Sequence, residues 1–381
     1  MTQRLLYITH HRLSDNNGGC NASKGFVHCF ASLFDEGVVI CPRFDGHEQP
    51  YIPKNFAPYF IQDSRSKLHK LLDMYRGVIS PIYYTVRQHL AEHRYDVIVI
   101  DHSFSGAAIS DYCRSTGAKI VTIHHNVERD YLRDNGKEKP ILYRYPFLYY
   151  SKKSERNCLL NSDANLTVTE RDANVFRSWH PDIHVYSWGI FEYRTIEDKV
   201  FPSKPKGQSF VITGSLHFEQ SLIPIMNFIL DYWPLVRREV PQAQLIIAGR
   251  NPSATLLQTC AATEGVSVIP NPVDMGAVVR QADYYICPIH AGSGLKLRIF
   301  DGLKQGVPIL CHDVAAAGYE FVEANGCLFR YHDEPSFINA LRRMMTADVS
   351  SQIVYQSFRN TFSLKTGLTK LETILKQEHI I

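Results

Sequence analysis

The chain is expected to form two doubly wound α/β domains, each a parallel sheet covered by helices on both faces. Short β-branched runs alternate with longer amphipathic stretches throughout, and the strand candidates are apolar almost end to end, as in sheets buried on both sides. Residues 191–207 break the pattern, with no periodicity and with Pro202, Pro205 and Gly207, the composition of a hinge. A chain of 381 residues is long enough for two cores of ordinary size.

In the first half the strand candidates are Arg4–Thr9, Gly37–Ile40, Val97–Ile100, Lys119–His124 and Ala164–Val168, with helices over Gly25–Phe34 and Gly106–Ser115. In the second half they are Ser209–Thr213, Ala243–Ala248, Val266–Ile269, Tyr284–Pro288 and Val307–Cys311. Helical periodicity there covers Leu222–Val240, Ala254–Thr263, Met275–Gln281, Leu297–Gln305 and Leu364–Lys376. The domains expected are 1–195, a hinge over 196–207, 208–360, and a closing helical segment over 361–381.

Composition narrows the function. With 45% hydrophobic and 21% charged residues the chain is globular, and a net charge of +3 is too small to make nucleic acid a default partner. Nine cysteines with no C-x-x-C pair, among them Cys287 and Cys311 inside apolar runs, are read as buried thiols of a reducing compartment. The apolar run in Met1–Thr9 is only four residues long, too short for a signal-peptide core. No stretch approaches the roughly 18 apolar residues of a membrane span. A cytoplasmic protein with at most peripheral membrane contact is expected.

In open parallel sheets ligands gather beyond the carboxyl ends of the strands, and two such domains on a hinge are expected to face a cleft. The strongest motif lies after Tyr284–Pro288: a glycine turn, Gly292-Ser293-Gly294-Leu295, then the Leu297–Gln305 helix and a closing Gly306. Backbone N–H groups at such a helix start favour an anion by about 0.3–1 kcal/mol and would face a phosphate. Lys296 adds a mobile cation, and Asp301 stands at the offset needed to reach a sugar hydroxyl. A lone G-x-G also describes a tight turn with no ligand. The G-K-[ST] ending of a P-loop is absent, which excludes that class of ATPase.

A second glycine turn, Asp15–Asn21 with Gly18 and Gly19, allows backbone approach or simply turns the chain. No acidic residue ends the Gly37–Ile40 strand, where Cys41 stands, so dinucleotide binding by the first half is not expected. Third comes Ile123-His-His-Asn-Val-Glu-Arg129. His125 could orient a reacting oxygen near neutral pH or serve as a structural hydrogen-bonding residue, while Asn126 and Glu128 either bind hydroxyls or hold the turn. Neighbours on a strand point to opposite faces, so His124-His125 is not a metal pair; the same argument leaves His10-His11 unassigned. Thr213-Gly214-Ser215-Leu216 and Ala248-Gly249-Arg250-Asn251 follow strands of the second half, and Arg250 either pairs with a diphosphate or is an exposed surface arginine. No D-x-D pair occurs, so neither a metal nor another cofactor is expected and cations would neutralise a diphosphate.

Taken together, Asn17-Gly-Gly19, His125-Asn-Val-Glu128, Gly189-Ile190, Thr213–Leu216, Leu245–Gly249 and the Gly292–Pro308 block (G-S-G-x-K-x-x-x-x-D-G-x-x-x-G-V-P) resemble the "group 1" retaining glycosyltransferases of the GT-B fold. That family includes bacterial lipopolysaccharide, capsule, exopolysaccharide and phosphatidylinositol glycosyltransferases. The resemblance implies two Rossmann-like domains, a nucleotide-sugar donor (most commonly UDP-linked) on the second, and a glycan or lipid-linked saccharide acceptor on the first. On matching positions His125 is catalytic. Gly292, Ser293, Gly294, Leu295, Lys296 and Asp301 bind the donor, with Gly214, Ser215, Arg250, Gly18 and Gly19 beside them, and Asn17, Asn126 and Glu128 lie on the acceptor side. The closing helix would return to the first domain.

Two departures from the family's pattern matter. Ser293 and Asp301 stand where many members carry E-x7-E, and His217-Phe-Glu-Gln220 stands where an Arg/Lys pair is frequent, shifting phosphate neutralisation to Lys296, Arg250 or Arg298. Two rival functions follow: a nucleotide-sugar epimerase of the same architecture, needing no acceptor, and a catalytically degenerate partner subunit. The basic, aromatic segments 64–93 and 139–153 would suit an anionic membrane, on the inner face of the cell membrane, where a lipid-linked acceptor waits; ordinary helices with solvated charges are the other reading.

Overall fold

A computed structural model describes residues 3–15, 17–44, 51–63, 65–75, 78, 80–103, 107–130, 141–201, 207–292 and 294–381. Contacts divide the chain into two units: Met1–Thr195 with Gly292–Leu295 and Phe362–Ile381, and Ile196–Ala291 with Lys296–Thr361.

The first unit is built on a parallel sheet of β1 (Arg4–Thr9), β2 (Glu36–Cys41), β3 (Phe56–Phe60), β4 (Val97–Asp101), β5 (Lys119–His124), β6 (Ala164–Thr167) and β7 (Val185–Ser187), in the order β3-β2-β1-β4-β5-β6-β7. Chain order reverses between β1 and β4, and beyond such a point a crevice opens at the carboxyl ends. The register, Leu5↔Val97 through Thr9↔Asp101, brings those two ends level. Leu6, Ile8, Ile98, Ile100 and Ile120 face a core closed by Ile82, Val86, Leu90 and Ile109 from the helices.

The other side of β1 carries the helix Gly18–Ala31, which begins seven residues before the helix expected from periodicity. Asn17 caps it, its Oδ1 accepting the Cys20 N–H at 3.0 Å, an arrangement typically worth about 1 kcal/mol. Gly18 and Gly19 are therefore the first helical residues rather than a turn. Glycine is needed at 19 because a Cβ there would sit 2.5 Å from Cε1 of His11.

The last helix, Leu364–Gln377, belongs to the first unit and packs against Gly18–Ala31. Trp188 joins the two: its ring stacks on Phe26 at 4.8 Å and its Nε1–H donates to the Gly367 carbonyl at 2.9 Å. Phe191 fills the remaining space, leaving no room for a side chain at Gly25 or Gly367.

The second unit holds a parallel sheet of β8 (Ser209–Ser215), β9 (Gln244–Arg250), β10 (Val266–Pro270), β11 (Tyr284–Cys287), β12 (Ile309–His312) and β13 (Leu328–Tyr331), ordered β10-β9-β8-β11-β12-β13. Its core sets Ile212, Ile247, Ile286 and Leu310 against Trp233, Phe337 and Leu341. The single helix expected over Leu222–Val240 is three pieces, Glu219–Asn227, a π-helical turn Phe228–Tyr232, and Trp233–Glu239. Pro234, at the start of the last piece, cannot donate to the turn before it, which fits the π-helical turn there, while Pro224 is held inside the first piece. The helix expected over Leu297–Gln305 is confined to Ile299–Leu303, and Gly306 closes it at φ +69.

All nine cysteines are free and buried. Among the described residues no helix is long and apolar enough to cross a membrane.

Candidate functional site

In the first unit the ends of β1, β4 and β5 converge. His124, still inside β5, is fully buried, with Nε2 3.0 Å from Asn165 Oδ1 and its ring against Phe176. Burial pushes it down to about 4. His125, one residue on, turns the other way and sets Nε2 2.6 Å from Asp101 Oδ1. The Ser23 hydroxyl donates to the second oxygen of Asp101 at 2.5 Å. Burial pushes the Asp101 carboxyl up, but the His125 ring and these hydrogen bonds outweigh it and hold the group below the usual carboxylate range. An ionised Asp101 makes Nε2 of His125 a donor and leaves Nδ1 for a ligand.

Asp101 and Ser23 escaped the sequence reading, which ended the strand at Ile100. The signal was there: a charged residue closing an otherwise apolar run, immediately before a histidine.

His10 and His11 require a correction. β1 ends at Thr9, so strand alternation no longer applies to them, and their ring centroids lie 4.3 Å apart. Both approach His102, at 4.5 Å and 5.6 Å. His102 itself has φ +86, a left-handed backbone uncommon outside glycine. Burial pushes His10 down to about 4, and His11 and His102 well below their ordinary value.

Glu128 is 2% exposed, with Oε1 3.2 Å from His102 Nε2. Burial, and then the neighbouring Glu155, push it up to about 8. Glu155, also pushed up by burial, to about 7, accepts the Glu128 N–H at 2.6 Å. Of the two roles open to Glu128, holding the turn fits its burial better than binding a hydroxyl. Asn126 is half-buried, 3.5 Å from the same Glu128 oxygen, and Asn17 uses its carbonyl as a helix cap. Lys24 is 3% exposed and ties Asp15 to the first helix, donating to the Asp15 carbonyl at 2.9 Å and Asn21 Oδ1 at 3.0 Å. Gly294, part of this unit by its contacts, has φ +69, and a Cβ there would lie 2.5 Å from Asn126 Oδ1 and 2.7 Å from the His125 carbonyl. Gly292 has φ +89 and Leu295 is half-buried, while Ser293 lies outside the described residues.

In the second unit β8 and β9 end level, Gly214 opposite Gly249 and Ser215 opposite Arg250. Thr213 links the Tyr285 hydroxyl (2.6 Å) to Oδ2 of Asp301 (2.8 Å), the threonine donating to the carboxylate. Burial raises the Asp301 pKa. The Arg298 guanidinium lies across Gly214, with Nη1 2.9 Å from where a Cβ would be, and donates to Ser221 Oγ at 2.7 Å. The Lys296 carbonyl accepts the Tyr319 hydroxyl at 2.9 Å, fixing the backbone after the glycine turn. Ser215 Oγ is 3.4 Å from His217 Nδ1, and Arg250 is exposed at the end of β9. The unit thus brings Asp301, Arg298 and Gly214 together at the end of β8.

Residues 26–190 match the family described as Glycosyltransferase Family 4, and residues 207–347 the family described as glycosyl transferases group 1. Solved structures share the fold at low identity. Sucrose-phosphate synthase from Thermosynechococcus elongatus is 12% identical, with 98% of each chain covered and a TM-score of 0.69. HepE of Anabaena, solved with UDP, is 12% identical over 98% of this chain and 100% of that one, with a TM-score of 0.65. WaaG, a glycosyltransferase involved in lipopolysaccharide biosynthesis, is 14% identical over 99% of both, with a TM-score of 0.61. No curated protein matches the chain. The chain belongs to the group 1 glycosyltransferases and has the GT-B fold.

Proposed function

We propose that the protein moves a hexose from a UDP-linked donor to a hydroxyl of a glycan or lipid-linked saccharide, keeping the anomeric configuration. The observation that carries this reading is the grouping at the end of β8: a carboxylate, Asp301, oriented by Thr213, next to a guanidinium, Arg298, that crosses a glycine. Asp301 takes the ribose hydroxyls, and Lys296, Arg298, Arg250 and the N–H groups of the Gly292–Leu295 turn take the diphosphate. Gly214 and Ser215 give the diphosphate backbone access beside them. Anabaena HepE, also solved with UDP and glucose, supports the choice of donor.

In the first unit the Gly18–Gly19 helix start adds further N–H groups, and Nδ1 of His125 orients the donor sugar. Asn126 and Asn17 flank the acceptor. In the chemical step the bond from the anomeric carbon to the diphosphate oxygen breaks and its electron pair stays on the phosphate. The acceptor oxygen bonds to that carbon from the same face, and its proton passes to the departing phosphate. The protein positions two substrates and stabilises the leaving charge.

The acceptor side is read as a membrane surface. Helices Lys67–Tyr75 and Ile141–Asn161 pack together and expose Leu68 (66%), Leu72 (43%), Tyr145 (70%) and Tyr149 (63%). Apolar tips of this kind, with half-exposed Lys70 on the same helix in an ion pair with Asp63, suit the headgroup region of a leaflet on the cytoplasmic side.

The test is product analysis by NMR with UDP-sugars, with and without a saccharide acceptor. Transfer that requires acceptor and preserves the anomeric configuration is expected. A changed sugar formed from donor alone would establish the epimerase instead, and an inverted product would remove retention.

A further inference from the structure

We propose that His10, His11 and His102 form a three-histidine site for a divalent transition metal, with Zn2+ the best match. Their ligand nitrogens all lie within 4.8 Å of one another, brought together by two adjacent strand ends, β1 and β4. Zinc–imidazole bonds of about 2.0–2.1 Å place tetrahedral ligands about 3.4 Å apart, so small rotations of the rings close the set.

Three independent features point to a ligand rather than to chance packing. Nε2 of His11 is buried without a hydrogen-bond partner, a costly state for a polar nitrogen unless something binds it. Gly19 lets the helix start pack closely on the His11 ring, since a Cβ there would lie 2.5 Å from Cε1 and 3.0 Å from Nε2. His102 is held at φ +86, and its Nε2 faces Glu128 Oε1 at 3.2 Å, an oxygen placed to orient the imidazole and leave Nδ1 for a metal. Neutral imidazoles favour zinc, copper or nickel over magnesium or calcium, which prefer oxygen.

Three protein ligands leave a fourth position open. His125 borders it, its ring centroid 5.1 Å from that of His11 and 5.0 Å from that of His102. A bound ion would tie the loops after β1 and β4 together and fix the wall on which the His125–Asp101 pair stands. None of its three ligands is assigned to the diphosphate, so the site stands or falls separately from the transferase reading.

The experiment uses the full chain, stripped with a chelator, mixed with ZnCl2 and desalted. One zinc per chain should remain by atomic emission, and Co2+ in its place should give the intense visible absorption of a four-coordinate nitrogen site. His11→Ala should weaken retention at least tenfold, and Glu128→Gln, which keeps the shape of the side chain, by about 10–100-fold. His332→Ala, which changes a second-unit histidine lying beside Asp313 and Asp333, should change nothing. No zinc on the wild type, or full retention by a His11→Ala protein with a native circular dichroism spectrum, overturns the site.

Discussion

His125 and Asp101 form a hydrogen-bonded pair, Nε2 to Oδ1 at 2.6 Å, on a carboxylate with no exposed surface. Asp101 closes β4, His125 follows β5, and Ser23, which holds the other carboxylate oxygen, comes from the first helix. Three elements distant in sequence thus orient one imidazole.

Replacing the ring and replacing its support should differ in degree. His125→Ala should lower kcat by about 10²–10⁴-fold, with a much smaller change in donor affinity. Asp101→Asn keeps the shape but removes a charge-assisted hydrogen bond worth about 1.5–3 kcal/mol, so a loss of roughly 10–100-fold in kcat is expected. Steady-state kinetics with donor binding measured separately decides this; loss of donor affinity alone in His125→Ala would remove the residue from the chemical step.

In the metal-free protein, stability should peak near pH 6.5. Folded His10 and His124 are lowered to about 4 from 6.5, and His11 and His102 are lowered too, so the unfolded chain binds more protons and stability rises with pH up to about 6.5. Glu128 and Glu155 are raised from 4.5 to about 8 and about 7, so the folded state keeps protons the unfolded chain has lost, and their contribution falls as pH rises across that window. Four histidines outweigh two carboxyls on the acid side, and the carboxyls alone act above 6.5. Melting temperatures across pH 4.5–8.5 should show the maximum, and Glu128→Gln should flatten the alkaline limb. A wild-type Tm that keeps climbing to pH 8 contradicts the account.

Gly25→Ala and Gly367→Ala should destabilise the first unit even though alanine is the better helix former by about 1 kcal/mol. Phe191 occupies the space each methyl needs, and overpacking of this kind costs about 1–3 kcal/mol. Urea midpoints measure it; a raised midpoint for either variant would show that the packing yields.

Flotation with liposomes containing phosphatidylserine should carry the wild type, and less of the Tyr145→Ser/Tyr149→Ser protein, whose two side chains are 70% and 63% exposed. Wild type that stays with the free protein removes the membrane reading.

The central strands were legible in the sequence because a parallel strand buried on both faces reads as an uninterrupted apolar run. β1, β4, β5 and β8 to β12 stand where those runs do, within a residue or two. The missed strands had physical reasons: β3 carries Pro58 at the sheet edge, β7 has three residues, and β13 has four interrupted by Arg330. The second-unit motif was legible because glycines and charges follow a strand within one short segment. The histidine cluster was not, because β1 stops one residue before His10, and only the pairing of β1 with β4 brings His102 beside it.

The most direct measurement is a thermal-shift titration with UDP, GDP, ADP and their sugar conjugates on wild type and Asp301→Ala. A ligand at 100 times its Kd stabilises by about 2.7 kcal/mol. The account predicts a shift selective for UDP and UDP-sugars that is lost or strongly weakened in Asp301→Ala. A folded wild type that no nucleotide stabilises, or a UDP shift untouched by Asp301→Ala, would contradict it.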